Sequence, residues 1–188
     1  LTLGSNTLTL NGNWIKNGDA AIDSGTLAFS GTEGAAVIGA TTFNHLTVNK
    51  SSNGVTVLNN AGVDGTLTLT DGELNNGFAT LTMGNGATID RSGGSLTNAP
   101  TFTTSVDVSY SGATGITTGH ELPMSTTVLN DLTVNNAGGV TLNADATVNH
   151  TLFLTDGLVT LSDNDLTLGA NATVSGVPSA SKMVVVNG

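Results

Sequence analysis

Few residues in this chain could carry chemistry, and most of them gather in one region. Residues 98 to 128 hold His120-Glu121, Asp107, the single tyrosine (Tyr110) and two of the three prolines (Pro100 and Pro123), with Arg91 just upstream. Cleavage of a polysaccharide needs two carboxylates, or a carboxylate with a base and a cation, converging in a groove. Asp107 and Glu121 are the carboxylates available, His120 the base and Arg91 the cation. Binding without cleavage asks for less: an aromatic face for the apolar side of a sugar ring and a few polar groups around it. Phe102, Tyr110, His120 and Glu121 are therefore the expected contacts for a glycan or another partner.

Other candidates have plainer readings. His45, His120 and His150 lie 75 and 30 residues apart, which matches no metal-ligand spacing. Asp71-Gly72 and Asp156-Gly157 are turn dipeptides. Asp163-Asn164-Asp165 lacks the glycine and the distant bidentate glutamate of a calcium loop. There is no cysteine, so thiolate chemistry, disulfides and cysteine-based zinc sites are excluded. Neither a metal nor a cofactor is expected. Threonines two apart (Thr7/Thr9, Thr66/Thr68/Thr70, Thr80/Thr82, Thr101/Thr103) would align hydroxyls on one side of a strand, the arrangement for binding ice or a crystal surface. Threonine is also simply a good outward strand residue.

The elements that must position these residues are strands. An apolar-Thr-apolar triplet recurs throughout, as in Leu8-Thr9-Leu10, Leu46-Thr47-Val48, Leu67-Thr68-Leu69, Leu132-Thr133-Val134 and Leu166-Thr167-Leu168. Alternation at period two puts Leu and Val on one face and Thr on the other. Gly, Asn, Asp and Ser fill the gaps as turn residues. Apolar residues never recur at helical spacing, and 38% hydrophobic content at strand period argues against disorder. Lys and Arg total four against 14 Asp and Glu, a net charge of −10, which disfavours nucleic acid and anionic membrane surfaces. No apolar run is long enough to cross a bilayer as a helix.

The chain also repeats itself. Asn44-His45-Leu46-Thr47-Val48-Asn49 returns as Asn130-Asp131-Leu132-Thr133-Val134-Asn135, at an offset of 86. Leu69-Thr70-Asp71-Gly72 returns as Leu154-Thr155-Asp156-Gly157 at 85, and Phe29-Ser30-Gly31 as Tyr110-Ser111-Gly112 at 81. His45 falls opposite Asp131 and His150 opposite Gly65, as tolerant outward positions would. Triplets about seven residues apart suit the short strands of a parallel β-helix better than a barrel. Residues 1–188 then form one solenoid fragment with repeats near 11–96 and 97–180, and a wider coil or excursion at 98–128. A right-handed winding follows from the general crossover preference. The inward Leu, Val, Ile and Met are expected to form one continuous axial column. Recurrent Asn is expected at coil corners. Nothing at either end resembles a polar cap, so further coils are expected beyond this segment.

Thr26-Leu27-Ala28-Phe29-Ser30-Gly31, Thr42-Phe43-Asn44-His45-Leu46-Thr47-Val48-Asn49 and Gly65-Thr66-Leu67-Thr68-Leu69-Thr70-Asp71-Gly72, with their second copies, resemble the repeat regions of very long secreted surface proteins of Bacteroidota-type bacteria. More broadly, they are similar to bacterial β-helical adhesin shafts. The resemblance covers nearly the whole chain and implies export, often by the type IX route. It also implies a structural role in adhesion or matrix at the cell surface, with neighbouring repeats, further copies or glycans as partners. It carries over no catalytic residue. An ice-binding solenoid and a polysaccharide-degrading β-helix are the alternatives.

Overall fold

The computed structural model describes residues 1–18 and 22–186, and these are all-β, with every named strand pairing in parallel, coil upon coil. The chain winds as a β-solenoid of about eight turns. One face is continuous along the whole length. It comprises β1 (Thr7–Leu10), β3 (Ile22–Gly31), β5 (Thr41–Lys50), β7 (Ala61–Asp71), β10 (Ala87–Arg91), β13 (Val106–Gly112), β15 (Leu129–Asn136), β18 (Thr151–Asp156) and β21 (Thr173–Ser175). The second face follows in each coil: β2 (Trp14–Ile15), β4 (Ala35–Ile38), β6 (Val55–Val57), β8 (Glu73–Asn75) and β11 (Ser95–Leu96). It resumes as a separate sheet in β14 (Ile116–Thr117), β16 (Val140–Thr141), β19 (Val159–Thr160) and β22 (Val184–Val185). The third face holds β9 (Leu81–Met83) and β12 (Thr101–Phe102), then, as another sheet, β17 (Ala146–Val148) and β20 (Leu166–Leu168). In the early coils it runs unbroken into the first face, so β3, β5 and β7 are bent strands of 10, 10 and 11 residues rather than short triplets. Register shifts between Phe43 and His45 mark the bend.

In the inner coils the triplets act as expected, whereas in β20 near the end Leu166 is half-buried and Leu168 exposed. In β13, Val106, Val108 and Tyr110 are buried while Asp107 and Ser109 between them are not. Inward positions stack in register: Leu27 on Leu46, Leu67, Ile89, Val108, Leu132 and Leu152. The 86-residue offset is thereby explained, because Leu46 and Leu132 stand four coils apart in one ladder. The 81-residue offset from Phe29 to Tyr110 is also four coils. The difference comes from one long coil, the 24 residues from Val108 to Leu132, which stand in the longer offset where the 19 from Phe29 to Val48 stand in the shorter.

Corner asparagines bridge successive coils. Asn76 Nδ2 donates to Asn98 O at 3.0 Å and Asn98 N–H returns to Asn76 Oδ1 at 2.9 Å. Asn13, Asn59 and Asn60 accept backbone N–H groups about twenty residues away. In the turn at Asp156-Gly157, the aspartate accepts the glycine N–H at 2.9 Å. Gly157 has φ +85°, and a Cβ there would collide with the carbonyl oxygen of Asn136 in the coil beneath.

The axial column is not single. One apolar cluster runs from Ile22 to Val106 and a second from Val108 to Val159. A polar group interrupts them where faces two and three also break, and it is described below. Within the first cluster, Leu67→Ala removes a fully buried side chain with neighbours above and below, and should cost about 2–5 kcal/mol. Thr68→Ala, one residue on and outward, should change stability by no more than about 0.5 kcal/mol. Chemical denaturation of the two variants checks the pair.

Candidate functional site

The polar interruption begins with position 91. In the ladder that holds Phe29, Val48 and Leu69, the next two residues are Arg91 and Tyr110. A cation in an inward column needs a partner, since an unpaired buried charge is strongly unfavourable. Glu121 supplies it from the long coil. Its side chain is fully buried, and Oε1 accepts from Arg91 Nη1 at 2.7 Å, from Tyr110 Oη at 2.9 Å and from the Gly119 N–H at 2.8 Å. Arg91 also donates to backbone carbonyls, from Nε to Gly94 at 2.5 Å and from Nη1 to Thr117 at 3.1 Å. Burial raises the Tyr110 pKa well above its ordinary 10.0; the adjacent Glu121 carboxylate raises it further, and Arg91 partly offsets both. The phenol stays protonated and donates to the carboxylate.

This group latches the excursion onto the shaft. Strands β12, β13 and β14 keep the coil rhythm, so within residues 98–128 the departure narrows to 118–128, after β14 and before β15. Glu121 reaches inward between exposed His120 and buried Leu122, and Gly119 makes room. A Cβ on Gly119 would lie 3.0 Å from Glu121 Oε2 and 3.4 Å from Arg91 Nη1. Outside the latch, a groove of about 350 Å³ opens between the excursion and the neighbouring coils, lined chiefly by Phe102, His120, Leu122, Pro123, Met124 and Ala144.

The sequence candidates therefore divide. Phe102, half-buried, and His120, exposed, line the groove. Tyr110 and Glu121 lie in the interior and support it from behind, so the expectation that they touch a ligand at the surface is corrected by their burial. Asp107 faces outward on β13, on the other side of the sheet from the latch, and its Oδ1 accepts from Asn130 Nδ2 and the Asp131 N–H at 2.9 and 3.1 Å. The two carboxylates thus do not converge.

Other candidates hold coils together. His45 Nδ1 accepts the Thr66 N–H at 3.0 Å, and Asp131 Oδ1 accepts the Thr151 N–H at 2.8 Å and meets His150 Nδ1 at 2.7 Å. The aligned His45 and Asp131 are outward, but they have one role in common. Each supplies an acceptor to the backbone of the following coil. Asp165 N–H donates to Asp145, and Asn164 Nδ2 to the Leu142 carbonyl. No cluster of three His, Cys, Asp or Glu able to hold a metal occurs among the described residues. The outward column through Thr9 reads Ala28, Thr47, Thr68, Asp90, Ser109, Thr133 and Phe153, an interrupted rather than a regular hydroxyl array.

Sequence reasoning missed the latch and the burial of Lys50, whose Nζ donates to Ser30 O at 2.6 Å and Asn11 O at 2.8 Å across two coils. The change of offset from 81 to 86 was the available signal for an insertion between Gly112 and Asn130. No protein-family model matches the chain, and no curated protein or solved structure matches it.

Two outcomes follow from the latch. Glu121→Ala leaves Arg91 without its counter-ion and should cost about 3–5 kcal/mol. Because the native Tyr110 pKa lies above the unfolded value, its contribution is intact below about pH 10 and is lost as pH rises through the native value. Denaturation midpoints measured from pH 8 to 12 should fall above about pH 10 more steeply for the native chain than for Tyr110→Phe.

Proposed function

We propose that this chain is a rigid structural segment of an exported, repetitive surface or extracellular protein, serving as a spacer or fibre in adhesion or matrix formation. The observation that carries the reading is the first face: nine strands in unbroken parallel succession with an apolar ladder beneath them. Buried apolar contacts and inter-coil hydrogen bonds both run along the axis, so each coil is braced by its neighbours and bending requires several to part together. The residues with chemical potential are spent on that bracing: Arg91, Glu121, Tyr110, Asp107 and His45 all hold one coil to another. The acidic surface keeps shafts soluble. The secreted, Bacteroidota-type setting rests on the resemblance of the repeats. Partners in this reading are further coils, further copies and surface glycans met along the shaft.

A spacer's output is length, and this supplies the test. In-frame removal of 86 residues, from Leu46 to the position before Leu132, deletes four coils while preserving the ladder. The parent fibre, measured by electron microscopy, should shorten by roughly 19 Å per deleted unit, at about 4.8 Å per coil, and remain at the cell surface in fractionation. Retained length, or a parent protein confined to the cytoplasm, would contradict the reading.

A further inference from the structure

Asparagine followed by glycine is a pairing that can react with itself. The glycine nitrogen, once it loses its proton, attacks the asparagine side-chain carbonyl, because no Cβ stands in the way. Among the described residues the pairing occurs at Asn11, Asn17, Asn53, Asn76 and Asn85. The fold disarms the last three by holding the glycine nitrogen. Gly54 N–H donates to Ser52 O at 2.9 Å, Gly77 N–H to Asn75 Oδ1 at 3.0 Å and Gly86 N–H to Ser105 O at 2.9 Å. Asn53 Nδ2, the group that would have to leave, is itself held by Thr32 O at 2.9 Å. Asn76 is buried, and both ends of its amide are bonded to Asn98. Asn17-Gly18 borders residues outside the described ones.

Asn11-Gly12 is different. It lies exposed in the turn between β1 and β2, and among the described residues no group accepts the Gly12 N–H. The Asn11 amide is engaged through its oxygen, where Ser30 Oγ of the next coil donates to Oδ1 at 2.9 Å. A donor on that oxygen stabilises the negative charge that forms there when a nucleophile adds to Cγ. The main-chain carbonyl of the same residue is also engaged. Lys50 Nζ, on a fully buried side chain, donates to Asn11 O at 2.8 Å and to Ser30 O at 2.6 Å. Both acceptors are neutral, and among the described residues no carboxylate forms an ion pair with Lys50.

We propose that Asn11-Gly12 is a self-modification site, at which the folded chain converts the asparagine into a carboxylate that pairs with Lys50. Gly12 N loses its proton and bonds to Asn11 Cγ. The Cγ–Nδ2 bond breaks, and Nδ2 takes up a proton and leaves as ammonia. A cyclic imide remains. Water then adds to one imide carbonyl, and the C–N bond at that carbonyl opens. Opening at Cγ leaves an ordinary aspartate. Opening at the former main-chain carbonyl leaves an isoaspartyl link, whose free carboxylate contains the Asn11 O that Lys50 already holds. Lys50 favours this second opening, because its ammonium stabilises the charge on that oxygen as water adds. Water is the only co-reactant, and nothing is oxidised or reduced. The buried cation thereby acquires the counter-ion it lacks. The inference does not depend on the rod reading.

The test is peptide mapping by mass spectrometry after incubating the intact folded chain in neutral buffer. Asn11 should convert at least about tenfold faster than Asn53, Asn76 or Asn85, whose glycine nitrogens are pinned. In denaturant the four should convert at similar rates, since each is followed by glycine. Ser30→Ala, which leaves both backbone oxygens that hold Lys50 in place, should slow conversion of Asn11 in the folded chain several-fold. Electron-transfer fragmentation separates isoaspartate from aspartate. Their ratio at Asn11 should be higher in the folded chain than in denaturant, and Lys50→Met should abolish the excess. Asn11 intact while Asn53 or Asn85 converts, a folded-chain rate indifferent to Ser30→Ala, or one product ratio in folded and denatured chain alike would each overturn the inference. None of these outcomes touches the spacer reading, which is tested by fibre length.

Discussion

Axial register is the constraint on which the rest of this structure depends. A coil of about twenty residues buries almost nothing alone. Its inward Leu and Val are covered only when the next coil places Leu and Val directly above them, as Leu46 does for Leu27 and Leu67 for Leu46. A slip by one residue would send Thr47 inward and Val48 out. Most features outside the column enforce that register: corner asparagines, His45 and Asp131 at the bends, and turn glycines such as Gly157 that let backbones approach.

The latch marks where that rule is broken and repaired. Arg91 and Tyr110 occupy ladder positions that elsewhere hold Phe29, Val48, Leu69, Val134 and Leu154. The cost of a cation in the column is offset by Glu121, which only a longer coil can bring inward. The excursion, the break in faces two and three and the division of the core into two clusters are therefore one event seen at different levels. Its outer consequence is the groove.

Much of this was legible in the sequence. The triplets fixed which residues face the core, because period two admits no other reading, and the repeat pointed to a solenoid rather than a barrel. The number of coils per repeat was not legible, since triplets on all three faces look alike and β3, β5 and β7 fuse two faces into one bent strand. Asp107 and Glu121 looked equivalent as a pair of carboxylates near an irregular stretch. Only their opposite orientations separate them, and an inward glutamate cannot be told from an outward one until its partner at Arg91 is known. His45 and Asp131 looked interchangeable because each offers an acceptor in the same place, a common function that residue identity conceals.

Fold, latch and groove all require successive coils to pair in parallel, in the stated register. Thr47 and Thr68 are outward Cα partners on adjacent coils, whereas Thr56 lies on another face. Paired cysteines at registered positions fall within bonding reach, and none occurs naturally to interfere. Mass spectrometry after mild oxidation should find an intramolecular disulfide in the Thr47→Cys, Thr68→Cys variant and none in Thr47→Cys, Thr56→Cys. A bond in the second variant and not in the first would mean hairpin pairing, and would contradict the solenoid outright.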